Sequence, residues 1–470
     1  MVKPRFSEFQ LHEFWEKSRY FSRPLLTQNG NQVEIIRRGR PNQDGGPDFR
    51  NIVIRMNDAI LEGDCELHLN SIDWKRHGHH LDRAYNQTCL HVALDNVPVT
   101  RIHLENGCEV EQILVPSELL AEFIAKKEAD DKDVQATKCA LGSCDASKKM
   151  SILHNAGMER LVQKAAVFKE RFHAVSWDQL VYEGLCQALG YSKNTQAFQM
   201  LAQIIPIDLL FYEMRQARSG LAEATTAALL FGAAGFLDEK SLKDNNSTEI
   251  QAYTATLRDI WCHAQHVLQI RPMQRAQWQF FRLRPQNFPT RRIAGIVKLI
   301  TKFERVGVLE RLTSNILNEG LTHAEINISL RDYFAIEADA FWQQHYDFKV
   351  RESKTSNKSF GMLIGKNRAD DLVVNIVLPI LLLYASETGD ANLNNKLQEL
   401  FSDYPCLQEN SVTRKMRNRL FLHRNQKNEL QYTARLQQGL IHLSKNFCLD
   451  GDCNKCLQTK LLSATREADN

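Results

Sequence analysis

Gly46–Asn70 reads GPDFRNIVIRMNDAILEGDCELHLN, and its alternation decides the fold of the N-terminal part. Ile52 and Ile54 alternate with Val53 and Arg55, and Asn57-Asp58 supplies turn residues. The run from Ile60 to Leu69 then sets Cys65, Leu67 and Leu69 on one face and Asp64, Glu66 and His68 on the other, because strand side chains alternate with period two. The pattern predicts two strands joined by a turn, with Glu66 and His68 pointing the same way and Asp48 at the mouth of the first strand.

Outward from this pair, Phe9, Leu11, Phe14 and Trp15 recur at helical spacing over Glu8–Lys17, and Gly30-Asn31 turns the chain into an extended run from Val33 to Ile36. Beyond Ser71 a polar stretch predicts a short helix, and Leu90–Leu94 reads as a buried strand. Asn106-Gly107 between Val99–Leu104 and Glu109–Val115 is a hairpin signal, and Ser117–Lys126 reads as a helix. The expected fold class is α+β: an α/β domain over 1–126, a linker over 127–150, a helical domain over 151–400 and a helical C-terminal segment over 401–470. Helices are expected at Leu161–Phe172, Trp177–Leu189 and Thr195–Ile205, among others.

The balance of 59 basic and 56 acidic side chains, a net charge of +3, announces neither nucleic acid nor an anionic membrane by itself. The N-terminus mixes charges with aromatics, unlike a secretory signal, so a cytoplasmic location is expected. Leu372–Ala385 is interrupted by Asn375 and Pro379 and reads as a buried helix with no membrane role. Gly361-x3-Gly365-Lys366 lacks the spacing and hydroxyl of a phosphate loop, which excludes a nucleotide triphosphatase of that kind.

Carboxylates on adjacent strands are what a divalent ion needs in order to polarise a phosphate and activate water. Pro47-Asp48 followed by Glu66-x-His68 resembles the PD-(D/E)XK nuclease core, with His68 where that family has lysine. The resemblance implies an N-terminal PD-(D/E)XK-like core with an added hairpin, Mg2+ or Mn2+ held by Asp48 and Glu66, and His68 near the attacking water. It also implies a helix carboxylate, matched by Glu13, and a nucleic-acid substrate. The alternative is a degenerate core that binds nucleic acid or serves as a scaffold. His77, His79, His80 and Asp82 follow closely; His77 and His80 are expected to contact phosphate, and the rival reading is a histidine zinc site. Arg37, Arg38 and Arg40 precede Asp48, and Arg282, Arg284, Arg291 and Arg292 lie among prolines and aromatics, so both groups are candidate phosphate contacts.

Cys448-x4-Cys453-x2-Cys456 has metal-ligand spacing, with Cys406 or His442 as the nearest fourth ligand. This predicts a structural cysteine metal knot holding Zn2+ or a 4Fe-4S iron-sulfur cluster. One upstream cysteine joined to three C-terminal ones also looks like the iron-sulfur staple of some RecB-like nucleases. Cys139-x4-Cys144 stands alone and reads as incidental. The whole pattern, with ALLFGAAGFLD and FRLRPQNFPTRRIA between the two ends, resembles a bacterial family catalogued as domain of unknown function 2851.

Overall fold

Ser7 opens helix α1 (Glu8–Lys17). Its hydroxyl accepts from the Gln10 N–H, and the Gln10 side chain accepts from the Ser7 N–H in return, satisfying two donors that a helix start leaves bare. Leu11, Phe14 and Trp15, at helical spacing, are buried in the core of the N-terminal unit. The computed structural model describes residues 6–42, 46–94, 101–126, 139–238, 248–281, 283–304, 306–348, 361–421, 432–448 and 456. The chain forms two compact units, Met1–Lys138 and Cys139–Asn470, of mixed α+β class.

The first unit is built on β1 (Leu25–Leu26), β2 (Gln32–Arg37), β3 (Arg40–Pro41), β4 (Phe49–Met56), β5 (Ala59–His68), β6 (Thr88–Leu94), β7 (Ile102–His103) and β8 (Glu109–Val115). The sheet order is β1-β2-β4-β5-β6-β8-β7, with β3 also paired to β4. β2, β4 and β5 run antiparallel, whereas β5, β6 and β8 run parallel. A parallel step needs a crossover. Between β5 and β6 that crossover holds the short helix α2 (Asp73–Arg76) and two 3-10 turns.

Because a parallel strand is covered on both faces, the end of β5 is buried throughout, from Cys65 to His68. Cys65 and Leu67 join the apolar cluster with α1, while Trp74 and Tyr85 of the crossover pack with Ile102, Leu104 and Val110. The strands around Gly46–Asn70 match the alternation read from the sequence. Of the hairpin arm expected at Val99–Leu104, only Ile102–His103 is strand, and residues 95–100 lie outside the described part. Helix α3 follows at 117–126.

Among its described residues the second unit is helical apart from a two-stranded ribbon, Ile336–Glu337 with Met362–Ile364, and the bridge Pro405–Thr433. Its first long helix, Ala146–Phe172, starts well before the expected Leu161: the Asp145 carboxylate accepts from the Lys148 N–H, and Ile152, Leu153 and Ala156 continue the buried face. The helix expected at Thr195 begins at Tyr191. The stretch read as a linker lies outside the described residues up to 138 and is helix from Ala146.

Lys366–Thr388 is long and apolar enough to cross a membrane by length and composition, but 67% of its apolar window is buried. Leu372, Val373, Val377, Leu378, Ile380 and Leu381 lie in the unit's main core. Pro379 sits just past the π-helical turn Val373–Val377 within this continuous helix, and Asn375 of that turn donates to Asp371 O at 2.9 Å.

Candidate metal centre

The hairpin of β4 and β5 brings Asp48 and Glu66 together. The Asp48 N–H donates to Glu66 Oε2 at 2.8 Å, the Leu67 N–H donates to Asp48 Oδ2 at 3.2 Å, and His12 Nε2 of α1 lies 3.1 Å from that same Oδ2. Both carboxylates are buried. Burying two negative groups this way demands donors, and here the backbone and His12 provide them. Glu66 Oε2 is therefore taken up by the peptide, and its other oxygen faces the histidines.

Glu66 Oε1 lies 3.4 Å from His79 Nε2 and 3.6 Å from His68 Nε2. His77 Nδ1 lies 3.3 Å from His68 Nε2. Among the described residues, His68, His77 and His79 are the group of three ligand atoms that all fall within 4.8 Å of one another. Each comes from a defined element: His68 ends β5, His77 caps α2, and His79 follows Gly78, whose φ of 78° lets the chain double back. The His79 ring lies edge-on to Trp74 at 5.4 Å and 4.0 Å from the Tyr85 ring.

A buried relay fixes the tautomer of His68. Glu66, His91 and Gln112 form one row across β5, β6 and β8. Gln112 Nε2 donates to Gln28 Oε1 at 2.8 Å, so Gln112 Oε1 accepts, from the Ser71 hydroxyl at 2.8 Å and from His91 Nδ1 at 2.6 Å. Burial above all lowers the His91 pKa to about 4, with the Gln112 bond and Asp48 opposing it and His79 adding to it. A neutral His91 protonated on Nδ1 keeps its lone pair on Nε2, which accepts from His68 Nδ1 at 2.9 Å. His68 then presents the Nε2 lone pair to Glu66 and His77, the arrangement by which an outer partner orients a metal-ligating imidazole.

The other candidate residues are placed as follows. Glu13 pairs with Lys17 at 3.1 Å, and it is His12, one residue earlier, that meets Asp48. Arg38 donates to Trp15 O, Glu16 O, Ser18 O and Ser22 Oγ, closing the end of α1. Arg37 pairs with Glu62 at 2.7 Å, and Arg40 is exposed. His80 is half-buried and outside the group of three.

Arg284 is exposed and Arg282 lies outside the described residues. Arg291 and Arg292 are buried, which corrects their reading as phosphate contacts. Arg291 donates to the carbonyls of Trp342, His345 and Met362, and Arg292 to Leu363 O, Asn287 and Tyr191. Their guanidinium groups tie the ribbon Ile336–Glu337/Met362–Ile364 and its neighbours to the helix Pro289–Phe303.

Of the cysteines, Cys406 is exposed, Cys448 half-buried and Cys456 buried, while Cys453 lies outside the described residues. His442 is engaged by Glu159 at 3.0 Å and by Asn446. Sequence reading missed His12, His91 and Gln112. His91 sits in an apolar run that signals a buried strand, and a polar residue inside such a run was the available cue.

No curated protein and no solved structure matches the chain. The family described as protein of unknown function (DUF2851) matches residues 8–410, spanning the sheet, the histidine group and most of the helical unit, and the chain belongs to that family.

Proposed function

We propose that the N-terminal unit is a divalent-metal-dependent hydrolase of nucleic-acid phosphodiesters, with the ion held by His68 Nε2, His77 Nδ1 and His79 Nε2 and with Glu66 Oε1 beside the fourth position, which stays open for water or phosphate. The observation that carries this reading is the spacing of those atoms, 3.3, 3.4 and 3.6 Å along the chain of neighbours. Ligands about 2.0–2.1 Å from a tetrahedral ion stand roughly 3.4 Å apart. An imidazole-rich set suits Zn2+ best; Mg2+ and Mn2+ prefer oxygen, of which Glu66 Oε1 offers one. Such an ion supplies a polarised phosphate oxygen and a water of lowered pKa.

The substrate class rests on topology and on Asp48. An antiparallel β2-β4-β5 meander, a crossover and a parallel β6, with Asp48 at the mouth of β4 and Glu66 on β5, resemble the PD-(D/E)XK core. In this chain the lysine position holds His68, whose relay makes it a lone-pair donor instead of a cation. Asp48 orients Glu66 through its own N–H, and exposed Arg40 of the same unit is available to phosphate.

Labelled single- and double-stranded DNA and RNA, incubated with Mn2+ or Zn2+, test the reading. Wild type cuts at least one substrate, and Glu66→Ala and His79→Ala abolish cutting while circular dichroism stays native. One observation favours a second reading, a nucleic-acid-binding scaffold: Asp48 Oδ2 is already engaged by His12 and the Leu67 N–H. Metal-loaded wild type that retains nucleic acid but cuts none of the four substrates selects that reading.

A further inference from the structure

Three helices of the second unit are held apart unevenly. A Cβ on Gly232 of Ala222–Ala233 would overlap the Trp261 ring of Thr248–Leu268, so these two helices touch closely there. Earlier along the first helix the side chains are only Ala224 and Ala227, and Pro289–Phe303 adds Ala294, which leaves a cavity of about 420 Å³. That is the volume of a small-molecule site, and apolar walls with a few convergent polar groups are how such sites are built. The cavity lies wholly within the second unit, and nothing in the hydrolase reading uses it.

Its polar groups carry an excess of negative charge. Lys298 Nζ lies 2.7 Å from Glu223 Oε1 and 3.3 Å from Asp339 Oδ2, so one ammonium faces two carboxylates. Asp339 is fully used, because its other oxygen accepts from the Trp342 N–H at 3.0 Å. Glu223 is exposed, and its Oε2 has no partner among the described residues. The aromatic lining is Phe231, Tyr253 and Trp342, with Tyr253 Oη accepting from Trp342 Nε1 at 3.0 Å. Burial above all raises the Tyr253 pKa, the Trp342 bond opposes the rise, and Asp339 and Glu223 add to it. The negative potential of the two carboxylates therefore reaches the aromatic wall.

We propose that this cavity binds a small organic cation, an ammonium carried on an apolar body, with Glu223 Oε2 accepting from the ammonium and the aromatic and alanine walls enclosing the rest. Two independent features favour that charge. The carboxylates outnumber the one cation, and aromatic rings attract an ammonium through their quadrupole. An anion would meet both carboxylates, and a neutral guest would leave the excess charge uncompensated.

The full-length protein, at constant ionic strength, is titrated with phenethylamine, hexylamine and choline, and with phenethyl alcohol and phenylpropionate as neutral and anionic counterparts. Thermal shift and saturation-transfer magnetic resonance read the binding. At least one of the cations saturates the protein with a Kd below about 1 mM and raises its melting temperature. Glu223→Gln, at an exposed position that leaves the fold intact, weakens that binding about tenfold, and Lys298→Met strengthens it by a similar factor. Ala227→Leu, which fills the cavity without touching a charge, abolishes it. Should either of these last two variants fail to fold, Glu223→Gln decides alone. No saturable binding of any of the cations, phenylpropionate binding as tightly as they do, or an affinity unmoved by Glu223→Gln overturns the proposal.

Discussion

His68 Nδ1 lies 2.9 Å from His91 Nε2, and this hydrogen bond decides which nitrogen of His68 carries the lone pair. Because His91 is held neutral and is itself oriented by Gln112, the lone-pair nitrogen of His68 is set from two strands away. His91→Leu removes the acceptor while filling much of the volume. Isothermal titration with Zn2+ is expected to show about 10–100-fold weaker binding. Gln112→Leu, one bond further out, shifts affinity in the same direction by less, and unchanged affinity in both variants contradicts the relay.

Arg38 and Arg37 are neighbours with different work. Arg38 satisfies carbonyls at the end of α1, whereas Arg37 makes an exposed pair with Glu62. Arg38→Ala is expected to cost about 2 kcal/mol, since hydrogen bonds to a charged group contribute about 1.5–3 kcal/mol. Arg37→Ala should cost well under about 1 kcal/mol. Urea denaturation of the two variants makes the comparison.

The glycine crossing of Ala146–Phe172 with Ala434–Leu443 in the helical unit tolerates no side chain. Gly439→Ala pushes a methyl onto the Leu153 carbonyl, and neither helix backbone can yield locally. A loss of about 2–4 kcal/mol is expected, read as a lowered melting temperature. Gly389→Ala, where no atom lies within 4 Å of the added carbon, pays only for its left-handed φ of 68° and should cost less.

His442 gives the helical unit an acid sensitivity. Burial first, and then Arg160, lower its pKa to about 4 from 6.5. Its Nε2–H donates to Glu159 and its Nδ1 accepts from Asn446. The unfolded chain takes up a proton below about pH 6.5, and the folded chain does so only near pH 4, so stability falls as pH drops through that window. The loss attributable to His442 is about 3 kcal/mol at pH 4 before solvent screening reduces it. His442→Gln, which still donates to Glu159, should flatten the fall measured by denaturant titration at pH 7, 5.5 and 4.5.

The strand pair and the Glu66/His68 face were legible because period-two alternation is local. What the sequence hid depends on packing between distant segments. His12 reaches Asp48 only through the docking of α1, and His91 reaches His68 only once β6 lies parallel to β5. His77 and His79 were visible as a dense histidine run, but their convergence needs the turn at Gly78. Arg291 and Arg292 looked like phosphate contacts because they flank aromatics, yet the carbonyls of Trp342 and His345 at a helix end and of Met362 and Leu363 on a strand claim guanidinium groups as readily as phosphate does.

The most direct test of the metal centre is electron paramagnetic resonance of Mn2+ bound to the full-length protein, read for nitrogen hyperfine coupling. The account predicts a bound Mn2+ with imidazole nitrogen couplings that vanish in His68→Ala/His79→Ala and weaken in His91→Leu. Mn2+ that stays fully aquated, or that binds without any nitrogen coupling, would contradict it.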